Sequence, residues 1–149
     1  MQAMAIEFAR NVLGQKDANS VEFNELTKHN VIDLMEDQKS MLNKGGTMRL
    51  GAYPCKLKKE SRVASIYGRE LIEERHRHRY EFNHKYLKDF EAAGMLCSGI
   101  NPDSGLVEVI ELKDHPWFVG VQYHPEYSST VLHPHPLFLA LIEAAILVH

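Results

Sequence analysis

Trp117-Phe-Val-Gly-Val-Gln-Tyr-His-Pro-Glu126 decides how this chain is read. Trp117 to Tyr123 carries no charge and is apolar at most positions, which predicts a buried strand. That strand runs straight into His124-Pro125-Glu126, and strand ends are where α/β sheets assemble their sites. The ordinary pKa of histidine lies near neutrality, so His124 can take up and return a proton. Pro125 fixes φ and stiffens the bend. Glu126, two residues on, can reach one imidazole nitrogen, set the tautomer and leave the other nitrogen for a nucleophile. Taken alone, the tripeptide also describes a histidine that merely ends a strand beside a solvated glutamate, and that is the commoner occurrence.

Working outward, helix and strand signals alternate. Upstream, Leu106–Leu112 and Met95–Ile100 predict two strands around the turn Asn101-Pro-Asp-Ser-Gly105. Asn83 precedes a helical pattern of Tyr86, Leu87, Phe90 and Ala93, which Gly94 ends. Ser61 predicts the cap of a short helix through Tyr67, closed by Gly68. Thr47 to Leu57 alternates Met48, Leu50 and Ala52 against Thr47, Arg49 and Gly51, as a strand does, after a Gly45-Gly46 turn. The apolar run Val31–Met35 follows a polar stretch, Gln15 to Asn30. Downstream, a helix begins after Pro136 with Leu137, Phe138, Leu141, Ile142, Ala145 and Ile146 on one side. The pattern predicts one layered α/β domain over residues 1–149, with helices packed on a mostly buried sheet.

Composition narrows the classes. A length of 149 residues suits one domain, and a net charge of −3 favours neither nucleic acid nor an anionic membrane as partner. No apolar run approaches the ~20 residues of a membrane span. Met1 to Arg10 has no basic leader or small-residue cleavage site. Cys55 and Cys97 form neither a disulfide framework nor a metal spacing, so a reduced, cytoplasmic chain is expected. Met1, Met4, Ala5, Phe8 and Val12 recur at helical spacing from the first residue, ahead of Gly14. No Ser, Thr, Asp or Asn precedes them to satisfy the first free N–H groups. This predicts a cut just inside a helix.

Gly120-Val-Gln-Tyr-His-Pro-Glu126 resembles the triad motif of class I glutamine amidotransferases. Gly45-Gly-Thr-Met-Arg-Leu-Gly51 and Glu74-Arg-His-Arg-His-Arg-Tyr-Glu81, followed by Phe82-Asn83, narrow the resemblance to the CTP synthase family. Asn19-Ser-Val-Glu-Phe23 and His115-Pro-Trp-Phe118 extend it over essentially the whole chain. The resemblance implies a flavodoxin-like class I amidotransferase domain, truncated at its N-terminal side. It makes His124 the base and Glu126 its orienting carboxylate. Met1 and Gln2 match the Met-Gln pair that follows the family's Gly-x-Cys-x-Gly elbow. The nucleophilic cysteine is then expected three residues before Met1, and the 149 residues alone are expected to be inactive. Met1, Gln2, Glu22 and Arg79 are implied to bind glutamine. Read from the sequence alone, Glu22 is an ordinary surface carboxylate, and Arg79 lies in a solvated strand edge or anion-binding patch.

In the whole enzyme that the resemblance implies, ammonia from glutamine aminates UTP to CTP, with ATP and Mg²⁺ in a synthetase domain absent from these residues. GTP is its activator, and Met35 to Gly46 corresponds to a lid associated with that activation. The implied assembly is a homotetramer. No cofactor is expected in residues 1–149. His76 and His78 share a strand face as zinc pairs do, but the neighbouring arginines repel a cation and nothing completes a ligand set, so no metal is expected. His133 and His135 read as loop residues. Cys97-Ser98-Gly99 resembles an elbow superficially, yet a turn follows where a helix is needed; both cysteines read as structural. The alternative is a non-catalytic binding or regulatory module on an amidotransferase scaffold.

Overall fold

The computed structural model describes residues 1–34 and 48–148; the expected Met35–Gly46 loop, its Gly45-Gly46 turn and Thr47 lie outside the described residues. The described chain runs α1 (Gln2–Asn11), β1 (Asn19–Ser20), β2 (Asn30–Leu34), β3 (Arg49–Leu57), α2 (Arg62–Tyr67), β4 (Leu71–His78), β5 (Tyr80–Phe82), α3 (Leu87–Ala92), β6 (Leu96–Ile100), β7 (Val107–Glu111), β8 (Val119–Val121) and α4 (Pro136–Leu147). Short 3₁₀ turns, His84–Tyr86 and Pro125–Ser128, precede α3 and follow β8.

The strands form two sheets. One has the order β4-β3-β6-β7-β8 with antiparallel neighbours throughout. The other has the order β1-β2-β5, in which β1 and β2 are parallel and β2 and β5 antiparallel. All of β7 is buried, because apolar layers lie on both faces of its sheet. One layer gathers α1, β2, β5 and α3 around Phe8, Phe82 and Phe90, with ring centroids 5.1 and 5.0 Å apart. The other packs α2 and the start of α4 on Cys55, Leu57, Ile72 and Val109. The expected α/β layering is therefore observed.

Local chemistry explains several boundaries. Ser61 Oγ accepts the Ala64 N–H at 3.0 Å, while the buried Glu111 carboxylate accepts the N–H groups of Arg62 at 2.9 Å and Val63 at 3.2 Å. The free donors at the start of α2 are thereby satisfied, with negative charge at the helix N-terminus. Gly68 ends the helix at φ 64°, where a side chain would be strained. Asn101 Oδ1 accepts the N–H groups of Asp103 and Ser104, both at 2.9 Å, and so builds the expected turn.

Four sequence expectations change. The apolar members of the β3 alternation, Met48 and Leu50, are exposed, and Arg49 points inward. Arg49 can do so because an acidic partner waits for it inside. Arg75–Arg79 is not solvated on both faces: β4 is an edge strand, but its alternate residues Ile72, Glu74 and His76 are buried. In α4 only Leu137 is buried, whereas Leu141, Ile142 and Ile146 are exposed. The first turn of α4 is seated against α2, and its later turns carry apolar side chains outward. Finally, His135 is no loop residue; its Nδ1 accepts the Leu137 N–H at 3.2 Å as the cap of α4.

Candidate active site

β8 delivers His124 just beyond its last residue, and the following 3₁₀ turn brings Glu126 back beneath the ring. His124 Nδ1 lies 2.7 Å from Glu126 Oε1. A carboxylate only accepts, so Nδ1 carries the hydrogen and Nε2 presents its lone pair. Burial works against the charged form of Glu126, but hydrogen bonds from His124 and the main chain outweigh it and hold the carboxyl below its usual range. The Tyr127 ring stacks on His124, with centroids 5.3 Å apart and planes inclined by 26°. The His124 N–H donates to the Arg75 carbonyl at 2.8 Å, tying the end of β8 to β4.

The start of α1 packs beside this strand. A Cβ on Gly120 would stand 3.0 Å from Met1 Cα and 2.5 Å from Met4 Sδ, so only glycine lets the helix lie so close. Gln2, Glu22 and Arg79, together with Met48, Arg77, His78 and Tyr80, line one cleft of about 430 Å³. The structure thus gathers Gln2, Glu22 and Arg79 at one cleft and His124 with Glu126 in one pair. Met1 stands against Gly120 and is not among the cleft-lining residues.

Behind the cleft lies a buried polar cluster that was not foreseen. The His78 Nδ1–H points to the Tyr80 carbonyl at 3.2 Å, so Nε2 of His78 accepts from Nδ1–H of His76 at 2.8 Å. Arg49 Nη1 lies 2.8 Å from Glu108 and 3.5 Å from Glu81. Gln122 Nε2 donates to Glu81 at 3.0 Å. Burial, then Arg49, lowers His76 to about 3 and His78 to about 4, so both rings are neutral near pH 7. Burial raises Glu81 to about 7, against the pull of Arg49 and Gln122. The strict alternation of Arg and His across residues 75–79 was the signal for this cluster, since period two places both imidazoles on one face.

One donor of His76, one of His78 and one of Glu108 lie within 4.8 Å of one another, a spacing that a metal ion could use. Here, however, the two imidazoles share a hydrogen and the Arg49 guanidinium already supplies the cation on Glu108. Neither cysteine offers a nucleophile. Burial, assisted by Glu108, pushes the Cys55 thiol up to about 12, and burial with Glu91 does the same to Cys97. A reactive thiol needs the opposite shift. Both cysteines are fully buried and lie within strands.

The chain is 67% identical over 146 residues to a CTP synthase of Bacteroides fragilis, an alignment that covers 98% of this chain and 27% of that protein. It is 64% identical over 145 residues to a CTP synthase of Christiangramia forsetii, again over 97% of this chain and 27% of the relative. The chain thus spans about a quarter of the length of these curated relatives. Among solved structures, the glutaminase domain of Trypanosoma brucei CTPS with bound acivicin superposes with a TM-score of 0.91 at 39% identity, covering 98% of this chain and 57% of that one. The sequence also matches the family glutamine amidotransferase class-I over residues 1–144. Strand, histidine–glutamate pair and helix start therefore have a family context, and the chain belongs to the class I glutamine amidotransferases.

Proposed function

We propose that residues 1–149 form the C-terminal part of a glutaminase domain whose ammonia serves the ATP-dependent amination of UTP to CTP. The observation that carries this is the 2.7 Å contact between His124 Nδ1 and Glu126, which frees Nε2 for a thiol. The cysteine comes from the polypeptide that precedes Met1 in the larger enzyme, since Cys55 and Cys97 are buried with raised pKa values.

In this reading, the α-carboxylate of glutamine faces Arg79 and its α-ammonium faces Glu22, with Gln2 beside them in the shared cleft. Met1 contributes at the edge of the site. Nε2 of His124 takes the thiol proton as sulfur bonds to the amide carbon. Backbone N–H groups of the elbow hold the oxyanion. His124 then returns the proton to the amide nitrogen as the C–N bond breaks, so ammonia leaves and a thioester remains. Water, giving its proton to His124, splits the thioester and releases glutamate. Glu126 keeps the ring in one tautomer and stabilises its charged form throughout.

ATP and Mg²⁺ belong to the synthetase domain of the larger enzyme, GTP is its activator, and a cytoplasmic homotetramer is its assembly. Among the described residues, no helix is long and apolar enough to cross a membrane. The test joins residues 1–149 in frame behind the preceding segment of the Bacteroides fragilis relative. The fusion is expected to release ammonia from glutamine, to lose that activity with His124→Ala, and to be largely disabled by Glu126→Gln. The 149 residues alone are expected to release none. A fusion whose glutaminase activity survives His124→Ala would refute the assignment of the base, and a fusion that releases no ammonia at all would favour a non-catalytic module.

A further inference from the structure

Glu74 lies on the inward face of β4, two residues before His76, and plays no part in the reaction as derived. It is nevertheless the hub of a buried network. Glu74 Oε1 accepts from the Tyr67 hydroxyl at 2.8 Å and from His135 Nε2 at 2.9 Å. The tautomer of His135 follows from its other nitrogen. Nδ1 accepts the Leu137 N–H, so the ring hydrogen sits on Nε2 and points at the carboxylate. Ser128 Oγ reaches Glu74 Oε2 at 3.4 Å, and the Tyr67 hydroxyl lies 3.2 Å from that of Tyr123.

These partners surround the turn that carries Glu126. Tyr123 immediately precedes His124, Ser128 ends the 3₁₀ turn Pro125–Ser128, and His135 starts α4. Among the described residues the turn meets β4 through the His124 N–H on the Arg75 carbonyl, through Tyr127 on the Arg77 side chain and through Ser128 on Glu74. The last two lie on the far side of Glu126, and of these Arg77 and Tyr127 are exposed whereas Glu74 is buried. We infer that Glu74, held by His135 and Tyr67, is a positioning residue that keeps the Glu126 carboxylate on His124 Nδ1. The inference rests on the proposed pairing of His124 with Glu126 and adds the element that holds it.

The test reads the tautomer directly. Two-bond ¹H–¹⁵N spectra of the full 149-residue chain, labelled at histidine, report how often the His124 hydrogen resides on Nδ1 or Nε2. Glu126→Gln sets the reference for a released ring. Glu74→Gln and Ser128→Ala are each expected to lower the Nδ1–H to Nε2–H ratio by about threefold or more, toward that reference, the weight of a weakened hydrogen bond. Ser128→Ala removes one hydroxyl from a turn and keeps the fold, so it decides the matter even if Glu74→Gln unfolds the chain. A purely structural role would lower the melting temperature and leave the ratio of the folded protein alone. Unchanged ratios in Ser128→Ala and in folded Glu74→Gln, with a changed one in Glu126→Gln, overturn the positioning role alone. An unchanged ratio in Glu126→Gln overturns the pairing and the positioning role together.

Discussion

Replacing Arg49 by methionine isolates the largest electrostatic commitment in the core. The guanidinium lies 2.8 Å from Glu108, whose side chain is 0% exposed. At an effective dielectric constant of about 20, that separation corresponds to roughly 6 kcal/mol of attraction, part of which offsets the burial of the two charges. Without Arg49, Glu108 must either stay charged in the core or bind a proton. Protonation is the cheaper course. At pH 7 it costs about 1.4 kcal/mol for each pH unit above the ordinary glutamate value, or roughly 3 kcal/mol, as an upper bound, because burial already holds Glu108 above its usual range despite Arg49. Arg49→Met should therefore destabilise the fold by up to about 3 kcal/mol at pH 7, and by at most about 1 kcal/mol near pH 5. Urea unfolding followed by the fluorescence of the single tryptophan, Trp117, measures both values. Arg49→Met combined with Glu108→Met should recover most of the loss, because an apolar pair leaves no unpaired charge. A loss below about 1 kcal/mol at pH 7, or one that is the same at both pH values, would refute the argument.

Two further outcomes follow from the same structure. Acid should weaken the wild-type fold: His76 and His78, held at about 3 and 4, return to 6.5 on unfolding, while Glu81, raised to about 7, returns to 4.5. The stability contributed by the depressed histidines is present above pH 6.5 and is lost as pH falls toward their folded values, whereas that of the raised Glu81 is present below 4.5 and is lost as pH rises through 7. Between pH 6.5 and 4.5 the unfolded chain therefore holds about one more proton over these three groups, and Glu108, also raised by burial, narrows the difference toward pH 4.5; the unfolding free energy should drop by up to about 1.4 kcal/mol per unit, most steeply just below pH 6.5, and a flat urea midpoint there contradicts the cluster. Gly120→Ala places a Cβ 2.5 Å from Met4 Sδ and 3.0 Å from Met1 Cα, and should cost about 1–3 kcal/mol in thermal or urea melts as α1 is pushed off the sheet.

Much of the local structure could be read in the residues because its causes are local. Ser61 and Gly68 bracket α2, and Asn101 folds its own turn, through contacts a few residues long. The His124–Glu126 pair was also legible, since two residues of separation and a proline leave the side chains few other places to go. What lay hidden depends on partners distant in the chain. The inward face of β3 cannot be chosen without knowing that Glu108, 59 positions after Arg49, is there to receive a guanidinium; the alternation of Met48, Leu50 and Ala52 favours the opposite face. The composition of α4, apolar on nearly every side, likewise does not say which turns are covered. His135 was missed because its carboxylate partner, Glu74, lies 61 positions away on β4, and because histidine is not among the usual helix-capping residues.

The bond from the His124 N–H to the Arg75 carbonyl has a consequence for how this protein breathes. β8 and β4 are opposite margins of one sheet, and that bond brings the chain leaving one margin onto the other, so the sheet curls toward closure. Peeling β4 away from β3 then cannot happen without also releasing the histidine. The His124–Glu126 pair and the arginine-bearing strand belong to one cooperative opening unit, and their amides should exchange with solvent at a shared rate.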